Sequence, residues 1–173
     1  AAAAAGIRRV VSASSINALG RVFSVRELEI QYFPVDERHP TYTTDAYSYS
    51  KTVVEDIADY FWRREKISGT CLRIPYVVPA KNNGEANVRP LVERCRADVQ
   101  RILELSAADR NRLFNGWRDK IRKSQEARVF EKPDPNRQGI FPDEPLAAMR
   151  TDFWTAVDER DSAQAIEKSL TSD

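Results

Sequence analysis

Tyr47 and Lys51 stand four residues apart in the run Tyr47-Ser48-Tyr49-Ser50-Lys51. That spacing stacks a phenol and an ammonium on one helical face. A cation beside a phenol favours the phenolate, and because an unperturbed tyrosine titrates near about 10, such help is what an acid/base tyrosine needs near neutrality. The pair alone is common and usually describes a solvated helix face. Its surroundings change its meaning. A short apolar stretch with Val10, Val11 and Ala13 precedes it and runs into the hydroxyls of Ser12, Ser14 and Ser15, and a second β-rich stretch, Thr70–Val78, follows it. In that order the end of one strand can present a serine hydroxyl to the tyrosine.

The positioning elements can be read from local patterns. Ala1–Ala5 has the highest helix propensity available, and Gly6 stands where a left-handed residue would close a helix. Ile7–Ser14 reads as a short buried strand. Leu19–Thr44, with Pro34, Asp36 and Pro40, reads as loop, with room for a short helix over Val22–Ile30. Asp45 can cap a helix on which Val53, Val54, Ile57, Ala58 and Phe61 recur at helical spacing to about Lys66, where Ser68-Gly69 ends it. Thr70–Val78 reads as one buried parallel strand closed by Pro79. After a polar loop at Lys81–Ala86, Val88–Leu105 and Ala107–Lys123 have helical character, the second capped by Ser106 with Asp109 three residues on. Lys132–Pro145 holds four prolines and one glycine and is irregular. Phe153–Val157 could form a last strand before a helix Ser162–Leu170 capped by Asp161. Strand, helix, strand, helical insert, strand, helix indicates an α/β chain with a parallel sheet.

Composition excludes several functions. A formal charge of +1 from 27 basic and 26 acidic residues gives no global field for nucleic acid or an anionic membrane, and there is no apolar run near the ~20 residues of a membrane span. Cys71 and Cys95 have neither metal-ligand spacing nor the density of a disulfide scaffold, so a reduced, cytoplasmic compartment is expected. His39 is the only histidine and leaves no histidine-based triad or zinc cluster. The neighbouring carboxylates Asp36-Glu37 do not form a glycosidase pair, and the basic run Arg118, Lys120, Arg122, Lys123, Arg128 is interrupted by Asp119 and Glu126 as a solvated helix face is. Trp62, Trp117 and Trp154 are expected in the core or a cleft wall, and Cys71 as a small buried hydrophobe.

Val10–Gly20 (V-V-S-A-S-S-I-N-A-L-G), Asp36–Pro40 (D-E-R-H-P), Tyr47–Lys51 (Y-S-Y-S-K), Leu72–Pro75 (L-R-I-P) and Asp161–Ile166 (D-S-A-Q-A-I) occur in the order seen in the extended short-chain dehydrogenase/reductases. The chain resembles this NAD-dependent epimerase/dehydratase family over most of its length, except roughly Lys81–Leu146. The resemblance implies a partial Rossmann-like parallel sheet flanked by helices, with a helical substrate-side insertion. It divides the chain into 1–80 with the reaction centre, 81–152 as the insertion, and 153–173 as a return strand and helix. It makes Ser15 the serine that hydrogen-bonds the reacting oxygen, with Ser14 as the neighbouring alternative. Tyr47 becomes the acid/base, and Lys51 the group that holds the nicotinamide ribose and tunes the tyrosine. Pro75 is expected at the cofactor together with Tyr47 and Lys51, and Tyr76 and Trp154 at the substrate together with Ser14 and Ser15. No metal is implied.

The six glycines are scattered and form no G-x-x-G-x-x-G turn, the element that would cradle a dinucleotide pyrophosphate. The expectation is a chain that begins mid-crossover and lacks the preceding cofactor-binding half; the alternative is that it binds no dinucleotide unaided. NAD and NADP both remain open. Pro75-Tyr76 stands where nucleotide-sugar epimerases of the family usually carry asparagine, and Trp154 where they often carry a phosphate-binding arginine. These departures favour an NAD(P)-dependent oxidoreductase acting on a carbohydrate-like substrate, a smaller sugar or polyol-like alcohol. A nucleotide-sugar epimerase/dehydratase and a non-catalytic binding protein that keeps the fold are the alternatives. No nucleic-acid or membrane partner is expected, and a homodimer is left open.

Overall fold

The computed structural model describes residues 1–21, 23–26, 28–79, 84–126 and 156–171. The alanine run forms one 3-10 turn, Ala3–Ala5, rather than the end of an α-helix. Gly6 closes it in the left-handed region (φ 71°), with its N–H donated to the Ala3 carbonyl. β1 (Arg9–Ala13), a 3-10 turn (Ile16–Leu19), α1 (Ala46–Glu65) and β2 (Ser68–Leu72) follow. β1 and β2 pair in parallel from Arg9 opposite Ser68 to Ala13 opposite Leu72. Parallel neighbours need a crossover, and α1 supplies it.

Helix α1 begins where Asp45, in extended conformation, accepts the Ser48 N–H at 2.8 Å. It ends where the helical spacing runs out, at about Lys66, just ahead of Ser68-Gly69. Lys66 takes the left-handed conformation (φ 57°) and donates its N–H to the Trp62 carbonyl, so Ser68 and Gly69 already belong to β2. Gly69 is needed there for proximity, since a Cβ would stand 2.8 Å from the Ala58 Cβ on α1.

The expected single strand Thr70–Val78 is two strands. β2 stops at Leu72, and β3 (Tyr76–Val78) pairs in parallel with β4 (Ala156–Asp158), not with β1. The residues between explain the break: Pro75 has no N–H for a ladder, and the Ile74 N–H turns back to the Leu72 carbonyl at 2.9 Å. The sheet expected to be buried is also more open. β1 and β2 are half-buried along most of their length, because each two-stranded sheet has few covering layers among the described residues.

Helices α2 (Gly84–Glu104), α3 (Ala107–Glu126) and α4 (Glu159–Thr171) complete the described chain. α2 starts before the expected Val88, with Pro90 inside it, so part of the presumed polar loop is helical. At α3 the Ser106 hydroxyl accepts the Asp109 N–H (3.1 Å) and donates to the Asp109 carboxylate (2.7 Å), as its position in the sequence indicates. α4 touches all four strands, and Arg9 donates to the Leu170 carbonyl near its C-terminus (2.9 Å). Asp161 does not cap this helix; it lies in the first turn, while Asp158 accepts the Arg160 N–H at 2.8 Å.

No helix forms among the described residues of Val22–Ile30. Thr44 takes over instead, accepting the Val25 N–H at 3.0 Å and sharing a hydrogen bond with the Ser24 hydroxyl. Among the described residues the buried apolar ones are Ala18 and Leu19 on the 3-10 turn, Leu28 in the loop that follows, Ile67 before β2, and Ile102, Trp117 and Ile121 on the later helices. Trp62 is not in the core: it is 52% exposed, with the Lys66 ammonium 5.4 Å from its ring centroid. Cys71 and Cys95 are both half-buried, and neither is in a disulfide. Among the described residues no helix is long and apolar enough to cross a membrane, and no group of three His, Cys, Asp or Glu could hold a metal ion.

Candidate active site

At the carboxyl end of β1 the chain bends into the 3-10 turn, and Ser15 caps it. The Ser15 hydroxyl oxygen accepts the Asn17 N–H at 3.2 Å. Among the described residues no acceptor takes the hydroxyl's own hydrogen, which leaves Ser15 able to donate. Gly20 closes the turn with φ 84°, and a Cβ there would overlap the Tyr42 carbonyl. A glycine is therefore required where the serine loop meets the segment leading into α1.

Tyr47 and Lys51 occupy the first turns of α1 on one flank, as their spacing indicates. The Lys51 ammonium donates to the Ala13 carbonyl at 3.0 Å and lies 5.5 Å from the Tyr47 ring centroid. The amine thus bridges the end of β1 and the phenol. Thr52 adds a second tie, donating to the Ala18 carbonyl at 3.3 Å, so the serine turn is docked on the helix that carries the phenol. Tyr47 is 47% exposed, Phe23 meets its ring edge-on at 5.4 Å, and its hydroxyl makes no hydrogen bond among the described residues. An open hydroxyl is what an acid/base group facing an exchangeable substrate requires.

Ser14, buried beside Ser15, is engaged elsewhere. Its hydroxyl donates to Glu55 Oε1 at 2.6 Å. The same carboxylate receives a two-pronged hydrogen bond from Arg73, Nε to Oε1 at 2.9 Å and Nη2 to Oε2 at 2.8 Å. Burial pushes the Glu55 carboxyl pKa up, but the Arg73 and Ser14 hydrogen bonds and the arginine charge more than reverse it, so the net shift is downward. The Glu55 hydrogen bonds in turn hold the Arg73 guanidinium above its ordinary pKa, against burial. This network was not anticipated from the sequence. The available signal was a carboxylate four residues beyond Lys51, on the helix flank that faces the strands, followed by an arginine directly after β2.

Pro75 is half-buried in the break between β2 and β3, and Tyr76, 66% exposed, opens β3 opposite Ala156. Trp154 lies outside the described residues, as do Arg128, the irregular segment Lys132–Pro145 and most of Phe153–Val157. His39 is structural. It is 2% exposed, its Nε2 accepts the Gln31 N–H at 3.1 Å, and this leaves Nδ1 to donate to the Pro40 carbonyl at 2.9 Å. Asp36 accepts from the Tyr32 hydroxyl at 2.7 Å and from the Arg38 N–H, and these bonds lower its pKa. That is the wrong direction for a general acid.

A parallel βαβ unit whose crossover helix carries a tyrosine and a lysine and is tied to a serine-bearing turn at the strand's carboxyl end defines an α/β protein with a partial Rossmann-like fold. The family model of the NAD dependent epimerase/dehydratase family matches residues 1–119, and the chain belongs to that family. The match runs through α2 and into α3, the stretch read from the sequence as departing from the family, and it stops before Asp161–Ile166. No curated protein and no solved structure matches the chain.

Membership places the chain among NAD-dependent oxidoreductases and epimerases and implies use of NAD or NADP. The residues present fit the reactive end of that cofactor: an ammonium at the mouth of β1, an open phenol and a serine hydroxyl with its hydrogen left to donate would hold a ribose and a reacting alcohol. They supply no glycine-rich turn for the pyrophosphate.

Proposed function

We propose that Ser15, Tyr47 and Lys51 form the proton-transfer centre of an NAD(P)-dependent oxidoreductase acting on a sugar-like or polyol-like alcohol. The bound nicotinamide would supply the acceptor or donor of hydride. Tyr47 takes the hydroxyl proton of the carbon being oxidised, and returns a proton to the carbonyl oxygen in the reverse direction. Ser15 donates a hydrogen bond to the same oxygen and fixes its distance from the phenol. Lys51 stabilises the phenolate through its charge and presents its remaining N–H bonds toward a ribose. Pro75 would border the cofactor and Tyr76 the substrate, with Trp154 a candidate for the same wall.

One observation carries this reading: the Lys51 ammonium is held between the Ala13 carbonyl and the Tyr47 ring while the tyrosine hydroxyl stays open. Family membership also supports a second reading, epimerisation or dehydration, in which the cofactor is reduced and reoxidised within one cycle. The two separate cleanly. Net reduction of added NAD+ or NADP+ across a panel of sugars, lactones and polyols supports the oxidoreductase; tightly retained nucleotide with no net reduction supports the epimerase. In either case Tyr47→Phe should abolish turnover, and equal rates for variant and wild type would remove Tyr47 from the chemistry.

A further inference from the structure

Lys51 and Glu55 are one turn apart on α1, the separation at which a lysine and a glutamate pair on a helix surface. They also grip adjacent residues: the ammonium binds the Ala13 carbonyl at 3.0 Å, and the carboxylate accepts the Ser14 hydroxyl at 2.6 Å. The two side chains are thus anchored on neighbouring residues of one backbone segment. Were the carboxylate without another partner, their helical spacing would let the two charges pair, and Tyr47 would lose the cation at its side.

Arg73 prevents this. Its guanidinium occupies both carboxylate oxygens, Nε on Oε1 and Nη2 on Oε2, while Ser14 takes a further position on Oε1. Four-fifths of each partner's side-chain surface is covered, so the pair is screened less than a surface ion pair. We infer that Arg73 is a positioning residue that sequesters Glu55 and thereby keeps the Lys51 ammonium free for the Tyr47 phenol and the cofactor ribose. Arg73 acts through Glu55 and Lys51, bonding the carboxylate and not the phenol or the amine. The inference rests on the proposed role of Tyr47 and Lys51, but its physical content, where the Lys51 amine goes, can be measured without substrate.

The test is a set of crystal structures of the full chain: wild type, Arg73→Met, and Arg73→Met with Glu55→Gln. In Arg73→Met the Lys51 ammonium is expected to leave the Ala13 carbonyl and bind Glu55 within hydrogen-bond distance; in the double variant it is expected back on Ala13. Turnover with NAD+ and the sugar, lactone and polyol panel should follow. The single variant is expected to be slower by about tenfold or more, a part of the ~10²–10⁴ that a positioned acid/base contributes, and the double variant faster than the single one. A residue that merely holds the fold would give the opposite ranking, with the double variant no better. If Arg73→Met does not fold, Arg73→Gln removes the charge while keeping a donor, with the same expectations. Lys51 remaining on Ala13 in the single variant overturns the inference. If instead Lys51 moves as expected but Tyr47→Phe turns over like wild type, the sequestration stands and the reading of the reaction centre falls.

Discussion

The two halves of α1 are held in different ways. In the first half Asp45, Lys51, Thr52 and Glu55 each make a hydrogen bond that fixes the helix start or ties it to residues 13–18, and Ser48 is fully buried. In the second half Ile57, Tyr60 and Trp62 are about half exposed, and a groove of about 320 Å3 opens between Val54, Ile57, Ala58 and Phe61 on the helix and Val10 and the first alanines. Of the apolar stripe that identifies the helix in the sequence, Val53, Val54, Ala58 and Phe61 are only half-buried and Ile57 is exposed. Directional bonds to a strand end, rather than a dense apolar core, position the groups that could do chemistry.

That contrast can be broken by substitution. Arg73→Met takes the two-pronged guanidinium from the largely covered Glu55 carboxylate, which one Lys51 ammonium replaces only in part, and should cost about 3 kcal/mol in urea denaturation. Gly20→Ala should cost about 2 kcal/mol, because an alanine pays for the left-handed conformation and its Cβ meets the Tyr42 carbonyl. Asp45→Ala removes the α1 cap and should cost about 1 kcal/mol. Trp62→Ala, in the other half of the same helix, should stay within about 0.5 kcal/mol. If Trp62→Ala proved as damaging as Arg73→Met, the distinction between the halves would be lost.

Glu55 also gives the contrast a pH signature. Its carboxyl titrates lower in the folded chain than in the unfolded one, so its contribution to stability is complete above the unfolded value of about 4.3 and is lost as pH falls through the folded value. Wild type should therefore lose stability below about pH 4.3 more steeply than Glu55→Gln. In Arg73→Met a single Lys51 ammonium would stand in for the two-pronged guanidinium, so the acid-side loss attributable to Glu55 should shrink; denaturation midpoints from pH 3 to pH 7 would show it.

Much of this was legible in the sequence where one residue type dictates a local geometry. Gly6, Asp45 and Ser106 end or start their elements as their chemistry requires, and Tyr47 with Lys51 lies on one helix flank because four residues make nearly one turn. The misses came from competing partners. Thr70–Val78 has the composition of one strand, but Pro75 and the turned-back Ile74 N–H divide it between two sheets. The described residues of Val22–Ile30 form no helix, and Thr44, about twenty residues away, accepts the Val25 N–H instead. Asp161 yields the cap of α4 to Asp158, and the Ser14–Glu55–Arg73 network joins three segments that no local pattern connects.

The most direct measurement is the single-turnover rate of hydride transfer at saturating cofactor for wild type, Tyr47→Phe and Lys51→Met, with thermal midpoints recorded alongside. Loss of about 10²–10⁴ in rate for Tyr47→Phe, a smaller loss for Lys51→Met, and midpoints near that of wild type would fit a phenol tuned by its neighbouring amine. Wild-type rates in both variants would contradict it.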